Sequence, residues 1–303
     1  MIRNLSRSHI DSVIEKAKTS SPDEALLFTI AEELLEGDYP SVTVHSFLES
    51  GHLPLINKTF YKSDKKEMWI DLLISLTRKS GFHVGHLILQ RVKTYSQKAL
   101  FQIVKGKEVV TITYKQAWKY IWGIAKSLSK LTDGFSHPVI GILTTNSLYG
   151  ALLDLACLSF HFRIVPIPIN LSKVDLNYIL NHAGITHLFI GGAEPHDLFN
   201  QLRSNSGVLS VTQLPDIHSL RFPSQTWEEF LSIGKNVPQE ILENRLNITE
   251  NDGVSTVMYT SGTTANPKGI IFTQMNIISK RFSRALALPD LSSNDIFLSY
   301  LPL

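Results

Sequence analysis

A single cysteine, Cys157, stands in the whole chain. No disulfide can therefore close within it, which suits a reducing compartment. Cys157 lies in an apolar helical run and reads as a small buried thiol, not a nucleophile. Charge of either sign is also scarce, with 29 Lys and Arg against 27 Asp and Glu. A net charge of +2 over 303 residues gives no basic stripe for a nucleic acid. No apolar run reaches membrane-spanning length. The nearest, Tyr149 to Phe160, is broken by Asp154. Residues 1–18 carry charges on both sides of Ile10, Val13 and Ile14 and lack the apolar core of a signal peptide. A Gly-x-Ser-x-Gly elbow is missing, as is any Cys/His spacing of a zinc site. His83 and His86 could share one helical face, but no acidic residue lies close by to complete a metal pair. These absences leave a cytoplasmic globular protein with no transmembrane segment and no nucleic-acid partner. Its 303 residues suffice for two domains and a large core.

What is present falls into two parts. Residues 1–80 read as an all-α extension. Ile10, Val13, Ile14 and Ala17 keep helical spacing. Ser21-Pro22-Asp23-Glu24 predicts a helix start with Ser21 at the N-cap and Pro22 at the first position. Leu27, Ile30, Ala31, Leu34 and Leu35 then share a face that stops at Gly37. A short helix is expected over 41–48. Another, capped by Ser63 or Asp64, presents Trp69, Leu72, Leu73 and Leu76 and ends near Gly81. The simplest role for this part is a helical cap on the main domain; the alternative is a module that binds a protein partner.

Residues 81–303 change character. Leu100 to Val104 and Glu108 to Thr113 alternate as a hairpin turning at Lys105-Gly106-Lys107. Thr113 caps a helix to about Leu131. Val139 to Leu143 is a short apolar strand, and Asn146 opens a helix to about Phe160. Ile164 to Ile169 is a strand that Pro166 and Pro168 mark as irregular or at an edge. Ser172 caps a helix over 173–183, and Thr186 to Ile190 is the next strand. Alternation of strand and helix predicts an α/β fold, a parallel or mixed sheet with helices on both faces.

The most informative stretch is Tyr259-Thr260-Ser261-Gly262-Thr263-Thr264-Ala265-Asn266-Pro267-Lys268-Gly269. Its hydroxyls offer donors, its glycines let backbone approach a ligand, and free N–H groups in such a loop make an anion cradle. Lys268 is the only charged residue between Val254 and Phe272. A donor-rich loop with one cation and no carboxylate suits a polyphosphate. A solvated turn is the other reading of that composition. It is not the P-loop of NTPases, because Lys precedes Gly and apolar β-prone residues flank both sides. The loop therefore belongs between two strands, without help from a helix dipole.

This loop resembles the phosphate-binding signature YTSGTTGxPKG of the adenylate-forming enzymes, with Ala265 in place of one Gly. That superfamily includes acyl-CoA synthetases, luciferases and the adenylation domains of peptide synthetases. The resemblance extends weakly over 83–303. Thr113-Tyr114 is similar to a "TYxEL" opening, Val139 to Leu143 with Asn146-Ser147 to "VAIxxxNS", Val165-Pro166-Ile167 to "VVPL", and Trp227-Glu228-Glu229-Phe230 to "WEEF". Asp295 to Leu303 resembles the "DvxLsxLPLxH" segment of fatty acyl-CoA synthetases and stops before its His. The chain is thus expected to be an N-terminal fragment of such an enzyme.

The resemblance implies that Thr260, Ser261, Gly262, Thr263 and Thr264 hold the β- and γ-phosphates of ATP, with Lys268 adding positive charge and Mg²⁺ offsetting the triphosphate. It implies activation of a carboxylic acid, of the long-chain fatty acid type, through an acyl-adenylate, followed by transfer to CoA. The family's catalytic lysine and magnesium-binding glutamate fall beyond Leu303, so no catalytic residue is assigned and residues 1–303 alone are expected to be inactive. The competing expectation is a truncated, non-catalytic module that binds a nucleotide or a partner.

Overall fold

The computed structural model describes residues 6–20, 23–51, 53–202, 207–215, 223–260 and 266–298. Six helices come first: α1 (Arg7–Thr19), α2 (Glu24–Glu36), α3 (Ser41–Ser50), α4 (Pro54–Tyr61), α5 (Lys66–Ser80) and α6 (Val84–Tyr95). A hairpin of β1 (Ala99–Lys105) and β2 (Glu108–Thr113) leads into α7 (Tyr114–Leu131). Then follow β3 (Val139–Thr144), α8 (Leu148–Ser159), β4 (Arg163–Pro166), α9 (Lys173–His182), β5 (His187–Gly191), α10 (Ala193–Asn200) and β6 (Ser210–Gln213). The last elements are α11 (Trp227–Ile233), α12 (Gln239–Leu246), β7 (Val254–Thr260), β8 (Lys268–Thr273) and α13 (Gln274–Ala287). This is the α/β architecture with a preceding all-α part that the periodicities imply.

The chain divides into two compact units. One holds residues 1–90, 249–253 and 274–298; the other holds 91–248, 254–273 and 299–303. In the helical unit, α13 packs on α4 and α5, and Ile278, Phe282 and Leu286 join a core with Ile30, Leu34, Phe47, Phe60 and Trp69. Trp69 stacks on Phe60 at 4.1 Å between ring centroids, with Phe28 edge-on at 5.7 Å. Such aromatic contacts add to the large apolar area each ring removes from water. The segment 249–253 is pinned by Asn251, whose Nδ2 donates to the Phe82 carbonyl at 2.9 Å and whose own carbonyl accepts from Met275 N at 2.8 Å.

In the second unit the six-stranded sheet runs β6-β5-β3-β4-β7-β8. All neighbours are parallel except β7 and β8, which form an antiparallel hairpin. Successive side chains of β5 divide between the faces. Leu188 and Ile190 join the apolar cluster of α9 and α10, while the Phe189 ring meets Trp227 and Phe230 of α11 at 6.4 and 5.0 Å. Helices therefore cover both faces, with α7, α8, α11 and α12 on one side. Two capping boxes begin helices here: Thr113 with Gln116 on α7, and Thr226 with Glu229 on α11.

Several local expectations are corrected. The cap of α2 is Asp23, not Ser21; its carboxylate accepts from Leu26 N at 3.1 Å and also sits favourably at the positive end of the helix dipole. Neither Ser63 nor Asp64 caps α5, which starts after Lys65 without a side-chain cap. Ser63 Oγ instead donates to Glu24 at 2.9 Å and accepts from Lys65 N. Ser147, not Asn146, caps α8, accepting from Gly150 N at 3.1 Å. The hairpin turn contains only Gly106 and Lys107, because Lys105 pairs with Glu108. The strand with Pro166 lies inside the sheet, between β3 and β7, and not at an edge. It tolerates proline because it ends there, and its pairing with β7 registers two residues earlier, at Ile164.

Candidate functional site

The signature loop leaves the carboxyl end of β7 and returns through β8, between two strands as its flanking residues imply. Its base is a ladder: Met258 faces Ile270, Tyr259 faces Gly269, and Thr260 faces Lys268. Of the candidate phosphate ligands, Thr260 and Lys268 therefore end up as cross-strand partners at the mouth of the loop, both exposed. Ser261, Gly262, Thr263 and Thr264 lie outside the described residues. Pro267, just before Lys268, is buried and fixes the backbone of the returning limb.

The mouth of this loop shares an edge with a second feature. β3, β4 and β7 are parallel, so their carboxyl ends lie along one side of the sheet. From β3 the chain crosses to α8 on one face; from neighbouring β4 it crosses to α9 on the other. Where adjacent parallel strands exit to opposite faces, a crevice opens at their carboxyl ends, the usual ligand position of open α/β sheets. A cleft of about 70 Å³ is found there. Its polar wall is Thr144, Thr145, Asn146, Ser147 and Asp154, and its apolar wall includes Ile142 and the 166–169 segment. Gly150 lines it without a side chain, and a Cβ there would come within 2.8 Å of Thr144 Cγ2. The loop was legible in sequence, but the crevice was not. Asn146-Ser147 signalled only a helix start, and strand order is needed to see that two exits diverge beside it.

Behind the loop, Tyr259 is buried in the apolar cluster of α9 and α10. Its hydroxyl lies 2.7 Å from His182 Nδ1, and burial pushes that phenol above its ordinary range, with the Tyr178 hydroxyl adding to the effect. No sequence signal pairs His182 with Tyr259 across 77 residues.

Other titratable groups serve packing. Cys157 is fully buried, and its thiol is pushed well up by loss of solvent, with the Asp154 carboxylate adding to it. His83 Nδ1 accepts from Gly85 N at 3.0 Å, and His86 Nδ1 from His83 N at 3.3 Å, so both imidazoles serve the start of α6. Among the described residues no group of three or more His, Cys, Asp or Glu is placed to hold a metal ion. No described helix is long and apolar enough to cross a membrane.

Comparison with known proteins gives this site its context. The chain is 28% identical over 221 residues to long chain acyl-CoA synthetase 3 of Arabidopsis thaliana, covering 67% of this chain and 32% of that protein. It spans 24% of the length of long chain acyl-CoA synthetase 6, peroxisomal, of the same plant. A crystal structure from Rhodopseudomonas palustris CGA009, described as a long-chain-fatty-acid CoA ligase, shares the fold with a TM-score of 0.58. That match is 18% identical and covers 73% of this chain and 51% of the other. The red-emitting luciferase of Phrixothrix hirtus matches with a TM-score of 0.52 and 18% identity, over 66% of this chain and 37% of that one. Residues 90–303 match the model of the AMP-binding enzyme family, and the chain belongs to that family.

Proposed function

We propose that this chain is the ATP-gripping front part of an acid–thiol ligase. The reaction would activate a carboxylic acid, of the long-chain fatty acid type, as an acyl-adenylate and pass it to CoA in the cytoplasm. Residues 81–303 form the first part of the AMP-binding domain, and residues 1–80 a helical extension. Thr260, Ser261, Gly262, Thr263 and Thr264 donate to the β- and γ-phosphates, and Lys268 offsets their charge. No carboxylate lies between Val254 and Phe272. The loop thus fits the anionic tail of ATP and does not by itself ligate Mg²⁺, which would ride on the phosphates.

One observation carries this reading: a hydroxyl-rich loop with a single lysine is closed at its base by the Thr260–Lys268 pair and opens at the carboxyl edge of a parallel sheet. Catalysis of adenylate formation is chiefly positioning and charge neutralisation, which such a loop can supply. The test is ATP titration of the chain against a variant with Thr263, Thr264 and Lys268 all changed to alanine. Loss of charge-assisted bonds should weaken binding by about a hundredfold or more. Equal affinity of the two proteins would refute the assignment. A second reading is a nucleotide-binding module without turnover, since no catalytic residue is assigned within residues 1–303. Acid-dependent pyrophosphate exchange separates the two. We expect little exchange from residues 1–303 alone, and full exchange only from a longer protein carrying the rest of the family's domain.

A further inference from the structure

Tyr259 is the last buried side chain of β7 before the loop, and it is held from three directions. Its ring packs in one apolar cluster with Ile179 and Leu180 of α9. Across the ladder it faces Gly269, where a Cβ would lie 3.2 Å from Tyr259 Cζ and 3.4 Å from its hydroxyl, so the glycine makes room for the ring. Its hydroxyl meets His182 Nδ1 at 2.7 Å. His182 closes the last turn of α9 and is itself oriented: Tyr178, one turn earlier, stacks on it at 5.0 Å with 22° between the planes. The His182 and Tyr259 rings meet edge to face at 5.9 Å. A buried phenol needs a partner, and among the described residues His182 supplies it.

We propose that His182 is a positioning residue for the phosphate loop: through the Tyr259 hydroxyl it ties the base of the loop to α9. Its value for catalysis rests on the reading that the loop takes ATP; the mechanical tie does not. Thr260 follows Tyr259 directly, so a shift of the Tyr259 ring is passed to the first candidate phosphate donor. The bond joins α9 to β7, and no other hydrogen bond to the Tyr259 hydroxyl is found among the described residues.

The test uses amide hydrogen exchange over residues 256–272 of the nucleotide-free chain. His182→Phe keeps the stacking on Tyr178 and removes the nitrogen. Tyr259→Phe removes the hydroxyl. Each should speed exchange in the loop base by about threefold to tenfold, the equivalent of one ordinary hydrogen bond. The double variant should go no further than either single one. His182→Asn, which can place a polar atom near the former Nδ1, should restore near-native exchange. Unchanged exchange in His182→Phe, or full additivity in the double variant, overturns the tie. ATP titration of the same four proteins then addresses the nucleotide. Affinity falling in step with loop exchange supports the positioning role, and affinity unchanged while exchange rises overturns it. A wild-type chain that fails to bind ATP while the exchange pattern holds refutes the ATP reading and leaves the tie standing.

Discussion

Gly81 ends α5 in the left-handed region, at φ 68°. A side chain there meets two separate obstacles, and replacing it with alanine should reveal both. The first is the dihedral itself, which costs a non-glycine residue about 1–2 kcal/mol. The second is space: a Cβ at Gly81 would lie 2.5 Å from Thr249 Cα and 2.6 Å from its Cβ. Thr249 cannot retreat cheaply, because the segment behind it is held by Asn251 through Phe82 and Met275. Overpacking against backbone of this kind costs about 1–3 kcal/mol. Together the two place Gly81→Ala at about 2–5 kcal/mol. Gly106 is the control: its φ is 63°, but nothing stands within 4 Å of its would-be Cβ. Gly106→Ala should therefore show the dihedral cost alone. Native-state hydrogen exchange reads both, at the last turn of α5 and at the β1–β2 hairpin. At about 1.4 kcal/mol per tenfold, Gly81→Ala should lower protection by about thirtyfold or more, and Gly106→Ala by about fivefold to thirtyfold. Equal factors for the two variants would show that the Thr249 contact adds nothing and would refute the packing argument.

His161 is the one described non-glycine residue at positive φ, 56°, and its imidazole is lowered to about 4 by burial and then by the Arg245 guanidinium. It stays neutral in the folded chain while the unfolded chain takes up its proton below about 6.5. Stability is therefore full above that pH and falls as pH drops towards 4, by roughly 3 kcal/mol. Thermal melts from pH 7 to 4 should be flatter in His161→Asn, which tolerates the same backbone; an NMR titration of His161 near 6.5 would contradict this. Lys79 Nζ donates to the carbonyls of Leu34, Leu35 and Gly37 at 3.1, 2.9 and 2.5 Å, closing the C-terminal end of α2. Because Lys79 is exposed, Lys79→Met should cost only about 1 kcal/mol, seen as faster exchange in the last turn of α2. Cys157, fully buried with a raised thiol, should resist a thiol reagent in the folded chain and react at once in denaturant. Rapid labelling of the native protein would show that α8 opens.

Much of this fold is readable where one local signal decides the structure. Thr113 announces its helix because the reciprocal cap is complete within four residues. Gly81 and the β1–β2 turn are equally local. The structure departs from the local signal where a distant partner or the strand order decides. Ser63 looks like a cap but is spent on Glu24, 39 residues away, and Pro166 looks like an edge marker although its strand lies inside the sheet. The site divides in the same way. The loop's place between two strands is legible because apolar β-prone residues flank it on both sides. The crevice beside it depends on β3 and β4 leaving the sheet to opposite faces, and the His182–Tyr259 bond on a contact across 77 residues. Neither is encoded in any short stretch. The recruitment of α13 into the helical core is non-local too, since its apolar face at Ile278, Phe282 and Leu286 fits any partner.

A helix N-terminus holds phosphate with converging N–H groups and about half a positive charge. A loop between two strands has neither, so under the proposed reading its grip must come from donors that are individually weak and must be kept ordered. Ordering seven residues between Thr260 and Lys268 would cost more than a few hydroxyl contacts return if the ends were free. Here the ends are not free. The Thr260–Lys268 and Tyr259–Gly269 pairs clamp them, Pro267 restricts the return, and Tyr259 is anchored sideways into α9. Under that reading the clamped ends lower the cost of ordering what lies between them, and more binding energy is left for the phosphates. This division explains why one glycine of the stretch, Gly269, sits in the ladder opposite a tyrosine ring and not at the ligand. Its lack of a side chain serves the clamp, and under the proposed reading the hydroxyls and Lys268 serve the anion.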